Sequence, residues 1–235
     1  LLIKEQLNNR LDSIVCSILK EIDNYLTDVD YVLVQGDTTT AFAISLACFH
    51  RKIKVIHLEA GLRTWDNQHP YPEEFNRQSI SSIADLNLCP TKDAAQNLIN
   101  ENKNTRIEIV GNTILDNLKN IITSKKNIVL ITLHRRENHD IIYEWFKEID
   151  NLALQYKDIE FILPIHPNPN IIKHKHFIKN IKICNPLQHN QLIEILKNSK
   201  LVITDSGGIQ EEAAFLFKPC IVCRKKTERH EGLNI

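Results

Sequence analysis

The chain of 235 residues contains no methionine, has no excess of charge of either sign and lacks any long apolar run. Its 29 Lys and Arg side chains balance 29 Asp and Glu side chains, so it offers no overall basic field to nucleic acid. No apolar run approaches the ~18 residues of a membrane span, and no secretory signal is visible. We therefore expect neither a nucleic acid nor a membrane as partner.

Methionine is also absent from the first position, which is Leu1, and the chain stops at Ile235 directly after a dense polar cluster. Because a complete translation product begins with Met, we expect a fragment or a processed chain that is incomplete at both termini.

Of the six cysteines, several lie inside apolar runs, among them Cys48 and Cys184. This placement predicts reduced core cysteines and a cytoplasmic setting.

Short apolar runs alternate with segments of helical periodicity along most of the chain. The runs 31–34 and 55–58 flank a short helical segment at 41–50, which is typical of a βαβ unit with parallel strands. Further strands are predicted at 86–89, 106–110, 128–133, 161–165, 181–184, 201–204 and 220–223. The pattern also predicts an amphipathic helix of about 24 residues before the first strand and a helix at 114–122.

The polar patch at 123–127 interrupts this alternation. We expect it to link two Rossmann-like, doubly wound α/β domains, 1–124 and 125–235, that face each other across a cleft. In such sheets ligands bind beyond the carboxyl ends of the strands.

Acidic side chains stand at these strand ends and at one helix start. Asp37 and Glu59 follow the two strands of the βαβ unit, and Glu73 and Glu74 follow Pro72 at a helix start. Such acids are often solvated or capping groups. Their convergence on one edge of the sheet favours acid/base chemistry on a sugar or a similar polyol.

Histidines follow two strands of the second half. His134 and His166 each come directly after a predicted strand, and Arg135 and Arg136 suit phosphate or carboxylate recognition. A single histidine in such a position is usually structural, whereas two at the same sheet edge favour a functional role.

A glycine turn lies between the strand 201–204 and a helix. In Ser206-Gly207-Gly208 the backbone N–H groups can approach an anion such as a nucleotide diphosphate, and Glu212 can bond ribose hydroxyls. The alternative is a tight turn without a ligand.

Cys220 and Cys223 have metal-like spacing, but residues three apart in a strand point to opposite faces, so we predict no metal site there.

Eight motifs in fixed order resemble the non-hydrolysing UDP-N-acetylglucosamine 2-epimerases. They cover residues 32–232 and read QGDTTTAFAISLACF, HLEAGLRT, PEEFNRQ, GNTILDNL, HRREN, PIHPNP, TDSGGIQEEA and KPCIVCRKKTERHEG. The resemblance implies a glycosyltransferase-B-like fold and reversible conversion of UDP-GlcNAc to UDP-ManNAc. It implies no NAD, no metal, and a homodimer in the full-length form.

The family's reaction eliminates UDP in the anti sense to form a glycal, which then takes back UDP and a proton with inversion at C2. By motif, the acid/base and active-site positions of this reaction correspond to Asp37, Glu59, Glu73 and His134. The UDP contacts correspond to Ser206, Gly207, Gly208 and Glu212. Arg135 and His166 match positions that, in bacterial members, also touch an allosteric UDP-GlcNAc.

The chain departs from the family at both ends. Relative to the family pattern it lacks the first strand with its phosphate-contacting loop, the allosteric segment near the N terminus, and the terminal helices. Two alternatives therefore stand beside an active epimerase: a catalytically impaired fragment that binds nucleotide sugars, and a glycosyltransferase of the same fold.

Overall fold

The computed structural model describes residues 9–102, 105–119, 121–225 and 227–229. The chain divides into two compact units, Leu1–Thr113 and Ile114–Ile235. Each unit is built around a parallel sheet with its own core. The α/β class predicted from the alternation is thereby confirmed.

In unit 1, four parallel strands lie in chain order, β1-β2-β3-β4. The strands are β1 (Tyr31–Gln35), β2 (Lys54–Leu58), β3 (Leu86–Cys89) and β4 (Arg106–Ile109). The helices are α1 (Arg10–Glu21), α2 (Thr39–His50), α3 (Glu73–Ile83) and α4 (Lys92–Asn100). The parallel register of β1 and β2, with Gln35 opposite Leu58, confirms the βαβ prediction and brings the ends of both strands to one edge.

In unit 2, five parallel strands take the order β7-β6-β5-β8-β9. The strands are β5 (Ile128–Thr132), β6 (Glu160–Pro164), β7 (Lys182–Cys184), β8 (Leu201–Thr204) and β9 (Cys220–Val222), and the helices are α5 (Ile142–Gln155), α6 (Pro169–Ile172), α7 (His189–Asn198) and α8 (Gly207–Phe215). The chain winds outward from β5 to β7 and then crosses back to β8. This reversal of strand order between β5 and β8 is the switch point at which doubly wound sheets bind ligands.

Apolar side chains cover both faces of the unit 2 sheet. Cys220 packs with Leu130 and Val202 against α7 and α8, whereas Cys223 packs with the cluster that contains Phe146 of α5. The two cysteines therefore lie on opposite faces of the sheet, as the strand periodicity predicted.

The segment after β4 differs from the sequence prediction. Instead of an α-helix at 114–122, a 3-10 helix spans Thr113–Leu118. Leu118 is buried, and Leu115 and Ile121 pack beside it on the α7–α8 core. Leu115 and Leu118 lie three residues apart, which matches the three residues per turn of a 3-10 helix, so this geometry points both side chains to one side, and Ile121 follows beyond the end of the helix.

This packing also explains where the units divide. The polar patch at 123–127 predicted a boundary at residue 124, but the division lies between Thr113 and Ile114. Leu115, Leu118 and Ile121 contribute to the core of unit 2, so the segment before the polar patch belongs to that unit.

The amphipathic helix before β1 is shorter than the sequence pattern suggested. Within the described residues, α1 begins after Asn9, whose side chain accepts a hydrogen bond from the Leu11 N–H at 2.9 Å. After Glu21 the chain tightens into a 3-10 turn, Ile22–Tyr25. Leu7, which the prediction included, lies outside the described residues.

None of the helices in the described ranges combines the length and apolar character that a membrane crossing requires.

Candidate active site

The polar edge of unit 1 is formed by the turns that follow β1 and β2. The Gly36 N–H donates to the Leu58 carbonyl at 3.0 Å, which ties the two turns together. Gly36 has φ +70°, and a Cβ built on it would lie 3.6 Å from Oε2 of Glu59. The Glu59 carboxylate therefore lies against the backbone immediately before Asp37, as the strand-end argument predicted.

Helix α3 holds the Asp37 turn from the other side. Asn76 Nδ2 donates to the Asp37 carbonyl at 2.9 Å, and the Arg77 guanidinium forms an ion pair with the Asp37 carboxylate. Glu73 begins this helix one turn before Arg77, on the same face. Its Oε2 is buried and has no hydrogen-bond partner within the described ranges.

Glu74 has a different environment from the other three acids. It is fully buried, and its carboxylate accepts hydrogen bonds from the N–H groups of Thr64 and Trp65 at 3.0 and 3.1 Å. Nη1 of Arg77 lies 3.4 Å from Oε2 of Glu74. Glu74 thus anchors the loop after β2 through hydrogen bonds to two backbone N–H groups. The sequence does not indicate these hydrogen bonds.

Glu59 adopts an unusual backbone conformation. Its φ is +64°, in the left-handed region that side chains other than glycine rarely occupy. Such conformations cost roughly 1–3 kcal/mol and cluster at functional sites, where the surrounding structure maintains them. The strain supports the sequence-based selection of Glu59 as a site residue.

His57 is a buried side chain of this edge that the sequence reasoning did not select. Its Nε2 lies 2.8 Å from the Gly36 carbonyl oxygen, which can only accept, so Nε2 carries a proton. Burial is the largest influence on the ring and lowers the pKa of His57 from 6.5 to about 4. The ring is therefore neutral at pH 7 and fixes the turn that carries Asp37.

The neutral state of His57 leads to a pH-dependence of stability. Because the folded pKa lies below the unfolded one, the unfolded chain binds more protons between these values, and stability falls as the pH drops from 6.5 to about 4. The shift corresponds to roughly 3 kcal/mol. We expect His57→Gln, which keeps a donor toward Gly36, to be less sensitive to pH over this range than the wild type.

Urea titrations at pH 7 and 4.5, read by hydrogen exchange in peptides of unit 1, measure this difference. Other groups titrate equally in both proteins, so the comparison isolates His57. Equal losses of stability in the two proteins would contradict a neutral, buried imidazole.

The polar edge of unit 2 lies at the switch point between β5 and β8. His134 and Arg135 follow β5, Ser206 follows β8, and His166 follows β6. The rings of His134 and His166 stack, with centroids 5.2 Å apart and planes 12° from parallel. The structure thus brings together the two histidines that the sequence selected.

Asp205 connects the two sides of the switch point. It is fully buried and accepts hydrogen bonds from the N–H groups of His134 and Arg135 and from Asn138 Nδ2. The sequence contained this residue in the TDSGG motif, but nothing in its spacing indicated that it reaches back 71 residues to His134.

Helix α8 begins at Gly207, directly after Ser206, and carries Glu212 into the core of unit 2. Nε2 of His189 lies 2.6 Å from Oε1 of Glu212. Burial raises the pKa of Glu212, while His189 opposes that shift. The second oxygen, Oε2, is buried without a hydrogen-bond partner among the residues that the structure describes.

Arg229 lies over the first turn of α8. A Cβ on Gly207 would meet its Nη1 at 2.4 Å, so a larger residue at this position would require the guanidinium to shift. Arg229 forms ion pairs with Glu211, at 2.8 Å, and with Glu228, and its carbonyl accepts from Gln210 Nε2 at 2.8 Å. The sequence reasoning placed Arg229 in a motif without assigning it this position.

Comparison with known proteins shows the family to which the chain belongs. The family model described as UDP-N-acetylglucosamine 2-epimerase matches residues 2–234. The chain belongs to this family. The UDP-N-acetylglucosamine 2-epimerase of Salmonella borreze is 41% identical over 252 residues, which cover 95% of this chain and 67% of that protein. The chain spans about two thirds of the length of the curated relatives it matches.

Solved structures of epimerases show the same fold. The UDP-GlcNAc 2-epimerase of Neisseria meningitidis bound to UDP-GlcNAc superposes with a TM-score of 0.88 at 37% identity, over 97% of this chain and 69% of that one. The Methanocaldococcus jannaschii epimerase in complex with UDP-GlcNAc and UDP gives 0.82 at 34% identity, over 97% and 70%. The glycosyltransferase-B-like fold class that the motifs implied is thereby confirmed.

Proposed function

We propose that the chain catalyses the reversible epimerisation of UDP-GlcNAc to UDP-ManNAc. The observation that carries the proposal is the family match over residues 2–234, together with relatives that bind UDP-GlcNAc and UDP. The two polar edges supply the groups that this chemistry requires: carboxylates after β1 and β2, and a histidine with an anion-binding helix start in unit 2.

The reaction requires a base near C2 and stabilisation of the departing diphosphate. A carboxylate removes the C2 proton while the bond between C1 and the β-phosphate oxygen breaks, and the electron pair of the C2–H bond forms the C1=C2 double bond of the glycal. UDP then returns to C1 and a proton is delivered to the opposite face of C2. We assign these proton transfers to Asp37, Glu59, Glu73 and His134, as a set.

We assign UDP binding to the start of α8 and its surroundings. The N–H groups of Gly207 and Gly208 and the side chain of Ser206 stand at a helix N terminus, where the helix dipole favours a diphosphate, whereas the Ser206 N–H donates to Thr204 Oγ1 at 3.0 Å. Arg135 and His166 supply further donors beside His134. Glu212 supports the proposal through its buried Oε2, which would accept a ribose hydroxyl in place of the partner it lacks within the described ranges.

Incubation of the chain with UDP-GlcNAc in deuterium oxide tests the proposal. We expect deuterium at C2 and the appearance of UDP-ManNAc, because the intermediate loses the C2 proton to a group that exchanges with solvent. Absence of both products, with UDP binding retained in calorimetry, would favour a nucleotide-sugar-binding fragment. Transfer of GlcNAc to an added acceptor alcohol would favour a glycosyltransferase.

Three further assignments remain part of the proposal. Unit 2 is the UDP-binding domain and unit 1 carries the carboxylates. The full-length protein forms a homodimer. The setting is cytoplasmic, in agreement with the six cysteines, all of which are free.

A further inference from the structure

Asp205 is a buried carboxylate that accepts hydrogen bonds from three donors of one turn. The His134 N–H lies 3.1 and 3.0 Å from its two oxygens, the Arg135 N–H lies 2.8 Å from Oδ2, and Asn138 Nδ2 lies 2.9 Å from Oδ2. These donors all belong to the turn that follows β5. The backbone of that turn is therefore fixed from the opposite side of the switch point by a single side chain.

The same carboxylate faces the His134 ring. Oδ1 of Asp205 lies 3.6 Å from Nδ1 of His134, which is within ion-pair distance although too long for a hydrogen bond. Because Nδ1 faces Asp205, Nε2 is the ring nitrogen farther from the carboxylate and the one left for a ligand. This arrangement of carboxylate, imidazole and ligand resembles the relation between acid and histidine in other acid/base sites.

The other charged and titratable groups around His134 oppose its protonation. Burial is the largest cause that lowers the pKa of His134, and His166, Arg135 and His139 lower it further, whereas Asp205 raises it. Cys223 lies beside Asp205, and burial raises the pKa of this thiol to about 11, so it stays uncharged at neutral pH. Asp205 is thus the group in this set that favours a positive His134.

We propose that Asp205 is a positioning residue for the epimerisation: it fixes the turn that presents His134 and supplies the negative charge that lets the imidazole hold a proton beside the departing diphosphate. The proposal deepens the function proposed above, because it rests on His134 acting in that reaction. Without the carboxylate, a positive imidazole at this place would face Arg135 and two further histidines with no compensating charge from the residues that the structure describes.

The chain contains a matched control for the structural part of this role. Asp150 of α5 is also buried in unit 2, and its carboxylate accepts hydrogen bonds from the N–H groups of Lys179, Asn180 and Ile181 at 3.0, 2.7 and 3.2 Å. Asn180 Nδ2 donates to it as well, at 2.8 Å. The two aspartates thus bind similar sets of donors, but the donors of Asp150 come from residues 179–181.

The test compares Asp205→Asn with Asp150→Asn in the full chain. Histidine resonances followed by NMR during a pH titration give the pKa of His134, and steady-state kinetics give kcat and KM. We expect Asp205→Asn to lower the His134 pKa further and to reduce kcat about 100-fold or more, with a smaller change in KM. Asp150→Asn should lose a similar amount of thermal stability while leaving the His134 pKa and kcat near the wild-type values.

An unchanged His134 pKa in Asp205→Asn, or an equal loss of kcat in Asp150→Asn, would overturn the proposal. If Asp205→Asn does not fold, Asn138→Ala decides: it removes one donor but keeps the charge, so a higher His134 pKa supports the proposal and an unchanged or lower one overturns it. The titration needs no turnover. A shifted pKa in a chain that does not epimerise UDP-GlcNAc would therefore count against the proposed function alone.

Discussion

Glu59→Gln is expected to slow deuterium incorporation at C2 of UDP-GlcNAc at least about 100-fold, the lower range for loss of a general acid or base. Glutamine has nearly the same size as glutamate, but its neutral amide cannot accept a proton at neutral pH. Glu59→Gln is more informative than Asp37→Asn, because the second variant would also weaken the ion pair with the buried Arg77. Exchange measured by NMR and product formation measured by chromatography report the effect.

Glu108→Gln is the control for this variant. Glu108 also lies in unit 1, but it is solvent-exposed on β4 and pairs with the exposed Arg106 at 3.0 Å. Removing its charge should leave the exchange rate unchanged, since exposed ion pairs contribute little to stability. If Glu59→Gln exchanged as fast as Glu108→Gln, Glu59 would have no part in proton transfer, and the backbone strain at this residue would need another explanation.

Gly61→Ala is expected to destabilise unit 1 by about 3 kcal/mol, which is a large fraction of the roughly 5–15 kcal/mol that stabilises a typical domain. Gly61 has φ +85°, and a Cβ on it would lie 2.2 Å from the Ala94 carbonyl oxygen and 2.7 Å from the Ala94 carbonyl carbon. Both atoms belong to the backbone of α4, so the helix itself would have to move. The packing of Leu62 and Leu98, and the bidentate contact of Arg63 with Glu101, depend on this close approach.

Gly111→Ala separates the two causes of this loss. Gly111 has φ +81°, but a Cβ on it would meet nothing within 4 Å. This variant therefore carries the backbone strain alone, about 1 kcal/mol. Urea titrations read by hydrogen exchange in peptides from α4 should show a clearly larger loss for Gly61→Ala. Equal losses would mean that the contact with Ala94 relaxes without cost.

Strands were the elements that the sequence predicted best. The apolar runs 86–89 and 201–204 coincide with β3 and β8 at both ends. Parallel strands covered by helices read as nearly continuous apolar runs, which the buried Asn87 interrupts in β3, so the run and the strand have the same limits. Short helices were harder: α6 spans Pro169–Ile172, where the sequence pattern predicted neither a helix nor a strand.

The helix predicted at 114–122 shows that the spacing of apolar residues does not distinguish a short α-helix from a 3-10 helix. Leu115, Leu118 and Ile121 are apolar at intervals of three, which fits one face of an α-helix over so short a distance as well as a 3-10 helix. Which of the two forms depends on the surface against which the side chains pack. That surface belongs to α7 and α8, some 70 to 100 residues later in the chain.

By itself, the sequence determined the strands of the fold and the edge at which chemistry can occur. Apolar runs specify strands, and the polar residues that follow parallel strands must lie at the carboxyl edge, so Asp37, Glu59, His134 and Ser206 were predictable. The tertiary structure alone decided which partners these residues have. Arg77 pairs with Asp37, 40 residues away, and Asp205 accepts a hydrogen bond from His134, 71 residues away. Folding brings these distant segments together, so the local spacing of residues along the sequence does not indicate the contacts.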